Sequence, residues 1–292
     1  MTKSINALYL KVFATVLCLG LLTNLLAQPA QNNRKIAALD FNLKVNGFQF
    51  KNYKNEGEKW KDDLGDEDLR KMFGVEALCK KHDRNSKCVE KVDTRPWLEK
   101  YLKAMNVGHC EGIAVASLRL KSNLPFKQKS QPSQFQSKAA SVFNLQRVEQ
   151  LENYIAYYWI TQTFDEVSIP TKKTAEAGPL AIIKMLIEGF KKSDTFVLRF
   201  WKSGNQIPDE GHAVAPFAVA ETDTRYIISV YDNNYPGQIR YVYVNKNAEQ
   251  GWNYTSKTAN DYTGNLESQT LELTATSLRD NKCFDPPWAT DR

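Results

Sequence analysis

Near the middle of the 292-residue chain lies the heptapeptide Gly108-His109-Cys110-Glu111-Gly112-Ile113-Ala114, in which a cysteine opens a helical pattern. The pattern continues through Leu120, with apolar residues recurring on one side. A thiol at a helix N-terminus meets the positive end of the macrodipole and several unpaired backbone N–H groups. These groups stabilise a thiolate and can hold an oxyanion. The pattern therefore predicts a nucleophilic cysteine.

Two later segments provide a candidate base and its partner. A histidine opens the apolar run Gly211-His212-Ala213-Val214, and the following predicted strand ends in Tyr231-Asp232-Asn233-Asn234-Tyr235-Pro236-Gly237. A turn centred near Asp223 lets antiparallel pairing bring the Asp232 end back to His212. A carboxylate or amide there orients the imidazole and leaves its other nitrogen facing a thiolate.

These three segments together resemble the papain-like cysteine peptidase superfamily over residues 97–255. More closely, the core GHCEG(I/M)A … GHAV … YDNNYPG is similar to exported bacterial proteins of unassigned function. The resemblance implies that Cys110 is the nucleophile and His212 the general base. It makes Asp232 the orienting group, with Asn233 as the alternative because papain-like enzymes often use asparagine.

One feature of the papain-like pattern is missing. Such enzymes commonly place a glutamine shortly before the nucleophile as an oxyanion donor, and no glutamine occurs between Pro96 and Cys110. Asn106 is the candidate substitute, and the alternative is that the Cys110 N–H acts with another group.

The order of the predicted elements indicates an α+β fold. A helical part carries Cys110, and a largely antiparallel sheet then carries His212 and Asp232 or Asn233. The period-2 patterns predict strands at 196–201, 212–220, 226–231 and 239–244, with a fifth candidate at 252–254. Earlier in the chain, alternation over residues 41–50 around Asn46-Gly47 predicts a β-hairpin, and residues 138–164 read as a long helix.

The N-terminus predicts export to the periplasm or the exterior. Residues 1–27 combine lysines, a short apolar core and a small-residue cleavage site, which is typical of a signal peptide. The alternative is an uncleaved anchor, and no other segment could span a bilayer. The predicted organisation is a signal peptide (1–27), an N-terminal extension or small subdomain (28–96), a papain-like core (97–255) and a C-terminal extension (256–292).

The remaining cysteines admit several pairings. In an exported protein, Cys79 and Cys88 are expected to form a local disulfide across a polar turn. The rival interpretation is a metal site of Cys79, His82 and Cys88, which lacks a fourth ligand; we expect no metal and no cofactor. A disulfide between Cys110 and Cys283 would make Cys110 structural.

The balance of positive and negative residues limits the kinds of partner that we expect the chain to bind. The chain has 39 Lys+Arg against 33 Asp+Glu, which argues against a strongly basic nucleic-acid-binding protein. We therefore expect a peptide or amide substrate and an exported thiol hydrolase working through a Cys110 acyl-enzyme, with acyl transfer as the related reaction. The alternative is a non-catalytic papain-like fold that binds a peptide or glycan at the cell surface. The sequence leaves the oligomeric state open.

Overall fold

Helices dominate the first two thirds of the fold. The computed structural model describes residues 33–54, 64–82, 88–202, 211–254, 262–280 and 283–288. Its α-helices are α1 (Leu43–Asn46), α2 (Asp66–Phe73), α3 (Val75–Leu78), α4 (Thr94–Ala104), α5 (Cys110–Lys121), α6 (Pro132–Phe135), α7 (Glu149–Ile160), α8 (Asp165–Ala177) and α9 (Pro179–Lys191). The predicted long helix at 138–164 is thus confined to α7, and a separate helix, α8, follows it.

Strands dominate the last third. They are β1 (Arg34–Ala38), β2 (Cys79–His82), β3 (Cys88–Glu90), β4 (Phe196–Trp201), β5 (Gly211–Glu221), β6 (Arg225–Tyr231), β7 (Ile239–Asn245), β8 (Trp252–Tyr254), β9 (Tyr262–Gly264) and β10 (Leu271–Ala275). The five strands predicted between 196 and 254 therefore lie within one or two residues of their predicted bounds.

The main sheet is antiparallel throughout, in the order β10-β4-β5-β6-β7-β8-β9. The long strand β5 pairs with β4 through its first half and with β1 through its second half. The ring of Phe200 on β4 lies 4.8 Å from the rings of Tyr254 on β8 and Tyr262 on β9, measured between centroids. The sheet is therefore curled, since these strands are not neighbours in it. A helical part followed by an antiparallel sheet confirms the α+β class.

Helix α5 lies against both the sheet and α7, and it is buried over most of its length. A side-chain carbon at Gly112 would lie 2.1 Å from the carbonyl oxygen of Ile155 on α7. Glycine is therefore required here so that the two helices can approach closely.

The predicted hairpin at residues 41–50 is wrong. Residues 43–46 form the short helix α1, whose first turn is capped by Asn42, with its Oδ1 accepting a hydrogen bond from the Lys44 N–H at 2.9 Å. Phe48 is fully buried, and its backbone N–H donates to the Tyr231 hydroxyl at 3.1 Å. Local capping and tertiary burial therefore outweigh the period-2 pattern.

Cys79 and Cys88 form a disulfide, with their Cα atoms 5.3 Å apart, which confirms that prediction. The bond also excludes the rival metal site, because it uses both thiols. The predicted signal peptide lies outside the described residues. Within the described ranges, no helix is both long enough and apolar enough to cross a membrane.

Both segments predicted as extensions contribute to the main sheet. β1 lies in the region before residue 97, and β10 lies in the region after residue 255. Residues 34–292 form one compact unit. The sheet therefore extends beyond the predicted papain-like core. Strand β10, which pairs with β4, and strand β1, which pairs with β5, both lie outside residues 97–255.

Candidate active site

Cys110 is the first residue of α5, as the helical pattern predicts. The preceding Gly108 has φ 145°, a conformation that favours glycine, and the Ile113 N–H donates to the His109 carbonyl at 3.0 Å to close the first turn. The Cys110 thiol is half-buried and free, and Cys283 is exposed and free. The structure therefore does not contain the Cys110–Cys283 disulfide that would have made Cys110 structural.

His212 and Asp232 meet where β5 begins and β6 ends. The pairing of Ala215 with Tyr231 sets this register, so that Asp232 follows the last residue of β6 directly. The His212 Nε2 lies 2.8 Å from Asp232 Oδ1, and both side chains are buried. Because the carboxylate engages Nε2, Nδ1 is the ring nitrogen that remains, and Cys110 lies close enough to His212 to raise its pKa.

Asp232 is held by several donors. The Tyr254 hydroxyl donates to its Oδ2, and the Asn234 backbone N–H donates to its Oδ1 at 2.7 Å. These contacts fix the carboxylate plane, so that the imidazole of His212 has one preferred orientation.

The electrostatic interaction between His212 and Asp232 favours the protonated, imidazolium form of His212. Burial lowers the pKa of His212, but the charge and hydrogen bond of Asp232, together with Cys110, outweigh burial and raise the pKa to about 10. For Asp232, burial raises the pKa, but His212, Tyr254 and Asn234 outweigh it and leave the pKa below its ordinary value. The stabilisation from protonated His212 is complete below the unfolded-state pKa of about 6.5 and is lost as the pH rises through about 10.

Asn233, the alternative orienting residue, faces elsewhere. Its Nδ2 donates to the carbonyl oxygens of Cys110 at 3.0 Å and Ala213 at 3.1 Å. Asn233 therefore ties the start of α5 to β5, whereas Asp232 is the residue that contacts the imidazole.

A different asparagine from the predicted one lies beside Cys110. Asn52 lines the cavity that contains Cys110, and among the described residues that form this cavity Asn106 is absent. The Asn52 Oδ1 accepts from the His109 N–H at 2.7 Å, and the Asn52 N–H donates to the Asn233 carbonyl at 2.9 Å. No acceptor for Asn52 Nδ2 occurs in the described part of the chain, so this nitrogen is available as a donor. The sequence carries no motif around Asn52 that could have identified it.

An ion pair with Arg279 neutralises the charge of Glu111, the residue after Cys110. Its carboxylate accepts from Arg279, and both side chains are almost completely buried. Burial lowers the pKa of Arg279 to about 10, with Glu111 opposing this effect and Arg199 and Arg119 adding to it. The negative charge of Glu111 is therefore shared with a guanidinium and does not stand alone beside the thiol.

A cavity of about 330 Å³ opens beside Cys110 and His212. Its wall includes aromatic and charged side chains from the helices and from β4 and β10: Tyr101, Trp159, Lys172, Arg199, Trp201 and Glu272. Among the residues with described positions, no group of three or more His, Cys, Asp or Glu could hold a metal ion.

Comparisons of the chain with protein-family models, with curated proteins and with solved structures found no match.

Because the chain has three histidines, the pKa of each imidazole can be measured directly. Nuclear magnetic resonance titration of the imidazoles is expected to give a pKa of about 10 for His212. His109, buried and bonded through Nδ1 to the Tyr53 carbonyl at 2.9 Å, should titrate at about 4. Asp232→Asn should lower the His212 pKa well below about 10, because Cys110 alone then opposes the effect of burial. An unchanged His212 pKa in Asp232→Asn would refute the assigned partner, and Asn233→Ala is the neighbouring control.

Proposed function

We propose that this protein is an exported papain-like thiol hydrolase that cleaves a peptide or amide bond through a Cys110 acyl-enzyme. The observation that carries the proposal is that His212, whose Nε2 is hydrogen-bonded to the buried Asp232, lines the same cavity as Cys110 at the start of a helix. A buried carboxylate, an imidazole and a thiol in this order form the arrangement that activates a thiol nucleophile. The Cys79–Cys88 disulfide supports export to an oxidising compartment.

The reaction follows from the positions of the atoms. The Cys110 thiol proton resides on His212 Nδ1, and the thiolate attacks the substrate carbonyl carbon to form a C–S bond. The C–N bond then breaks while Nδ1 gives its proton to the leaving amine. In the second half, water transfers a proton to Nδ1 while its oxygen attacks the thioester carbon; the C–S bond then breaks, which releases the acid and restores the thiolate with the proton on Nδ1. An amine in place of water gives acyl transfer by the same steps.

The charge that develops on the carbonyl oxygen requires donors. In this proposal the Asn52 Nδ2 and the Cys110 N–H supply them, because the first N–H groups of a helix have no intrahelical acceptor. The side-chain Oδ1 of Asn52 already accepts a hydrogen bond from the His109 backbone N–H. The side-chain amide of Asn52 therefore keeps a fixed orientation. The N-terminal segment would then complete a site built mainly from α5, β5 and β6.

The nucleophile can be tested without a known substrate. Iodoacetamide at about pH 5.5 should alkylate Cys110 at least about 100-fold faster than Cys283, because an ordinary thiol is almost entirely protonated at that pH. Both cysteines are free in the same chain, so that Cys283 is an internal control read by mass spectrometry. His212→Ala should abolish the difference. Equal alkylation of the two thiols would contradict the proposal.

The Asn52 role predicts a separation of two activities. Asn52→Ala should lower turnover of a pool of fluorogenic peptide amides by about 10²–10³-fold, the usual loss for one oxyanion donor. Alkylation of Cys110 by iodoacetamide should be nearly unchanged, since that displacement forms no oxyanion. Asn52→Asp keeps the acceptor for the His109 N–H but loses the Nδ2 donor, so that this variant should also turn over the peptide amides slowly. Asn106→Ala is the matched control, and a comparable loss there would reverse the assignment.

A further inference from the structure

The wall of the cavity beside Cys110 carries side-chain hydrogen-bond donors that have no acceptor among the described residues. Arg199 on β4 donates through one guanidinium nitrogen to Glu272 Oε2 at 2.5 Å, and the residue is only 8% exposed. Its Nε is buried and has no partner within the described residues. A guanidinium nitrogen left unpaired in a buried site is costly, because it loses water without gaining an acceptor. This wall therefore offers an unfilled donor.

Two further donors belong to the same cavity. The indole N–H of Trp201 is buried and also lacks an acceptor in the described part of the structure. Lys172 on α8 is exposed and lines the cavity, and no ion pair to it occurs among the residues that the structure describes. Three residues that carry donors of different chemical types therefore line one cavity.

One positive charge remains near the cavity once the ion pairs of its wall, including the one to Arg279 outside it, are counted. Glu272 is paired with Arg199, and Glu111 is paired with Arg279, which is not part of the cavity wall. Lys172 therefore adds one positive charge that no carboxylate of the wall neutralises. A group with negative charge and several acceptor lone pairs fits this surplus, and a carboxylate has both properties.

We propose that this cavity binds a carboxylate of the substrate close to the amide bond that Cys110 attacks. The inference rests on the proposed hydrolase function and specifies its substrate class: peptides that carry either an acidic side chain or a free terminal carboxylate beside the cleaved bond. Lys172 would attract the carboxylate at the opening, and Arg199 and Trp201 would donate to it inside. The aromatic rings of Tyr101 and Trp159 would flank the apolar part of the same residue.

Equilibrium binding to a Cys110→Ala variant tests the inference separately from catalysis. The probes are three compounds of nearly equal size: N-acetyl-glutamine with a free terminal carboxylate, N-acetyl-glutamate α-amide with a side-chain carboxylate, and the neutral N-acetyl-glutamine amide. Tryptophan fluorescence reports binding, since Trp159 and Trp201 line the cavity. One of the two acids should bind about three- to ten-fold more tightly than the neutral probe. Which acid binds more tightly identifies the source of the carboxylate.

Charge reversal on α8 provides the matched control. Lys172→Glu should remove the preference for the acid, whereas Lys173→Glu, an exposed neighbour outside the cavity wall, should keep it. Equal affinity for all three probes, no binding of any probe, or an unaltered preference in Lys172→Glu would overturn the inference. Because the variant cannot react, a failure of the hydrolase proposal would appear instead as slow alkylation of Cys110 in the wild-type chain.

Discussion

Cys110→Ser is expected to lower turnover of the fluorogenic peptide amides by at least about 10⁴-fold. Removing one member of a catalytic set typically costs this much or more, because the remaining members act only through the missing one. Serine keeps the size of the side chain but is far less acidic than a thiol, so that His212 would no longer hold a transferred proton beside an anionic nucleophile. Steady-state kinetics would measure the loss.

Cys283→Ser is the control for this first prediction. Cys283 is exposed and free, and it does not belong to the Cys110 cavity. Its replacement should leave turnover within a factor of about two of wild type, a change of less than 0.5 kcal/mol in the barrier. Residual turnover of Cys110→Ser above a few per cent would show that another group performs the chemistry. The non-catalytic alternative is instead supported if Cys110 and Cys283 are alkylated at equal rates.

Glu111→Ala should be the most destabilising single substitution near the site. It leaves the guanidinium of Arg279 buried without its carboxylate, and breaking a buried ion pair in this way typically costs about 3–5 kcal/mol. Arg199 and Arg119 already disfavour the charge on Arg279, so that the loss of Glu111 leaves several cations close together. Urea denaturation would measure the difference in the free energy of unfolding.

A double variant separates the ion pair from simple loss of packing. Glu111→Met with Arg279→Met replaces both charges by apolar groups, and such replacements are often neutral or stabilising. Its stability should therefore be much closer to wild type than that of Glu111→Ala. At the surface, Arg34→Ala removes an exposed partner of Glu221 and should produce no measurable shift. Equal losses in Glu111→Ala and the double variant would show that the charge pair has no special role.

The sheet was largely predictable from local pattern. The segments 196–201 and 226–231 are short runs rich in apolar, β-branched and aromatic residues, and the observed β4 and β6 match those bounds to within one residue. Pairing across the turn near Asp223 also followed from residue counting, and the Thr222 N–H donates to the Arg225 carbonyl at 2.8 Å in that turn. The Cys79–Cys88 disulfide was predictable because the two residues are close in the chain and flank a polar turn.

Other features depended on contacts between distant parts of the chain. Residues 43–46 fold as a helix although the surrounding pattern alternates, because Phe48 is buried against Tyr231. The choice between Asp232 and Asn233 required side-chain directions, and only Asp232 reaches the imidazole. Asn52 lies far from Cys110 in sequence, so that no spacing rule connects them.

The sequence by itself determined the α+β class, the strands of the later sheet, the local disulfide and the candidate residues Cys110, His212 and Asp232. These depend on periodicity and short-range pairing, which each segment carries within itself. Only the tertiary structure decided that Asn52 lines the same cavity as Cys110, that Arg279 neutralises Glu111, and that Arg199 and Lys172 line that cavity too. Such contacts join segments far apart in the chain, and their formation depends on how α5, α8 and the curled sheet pack together.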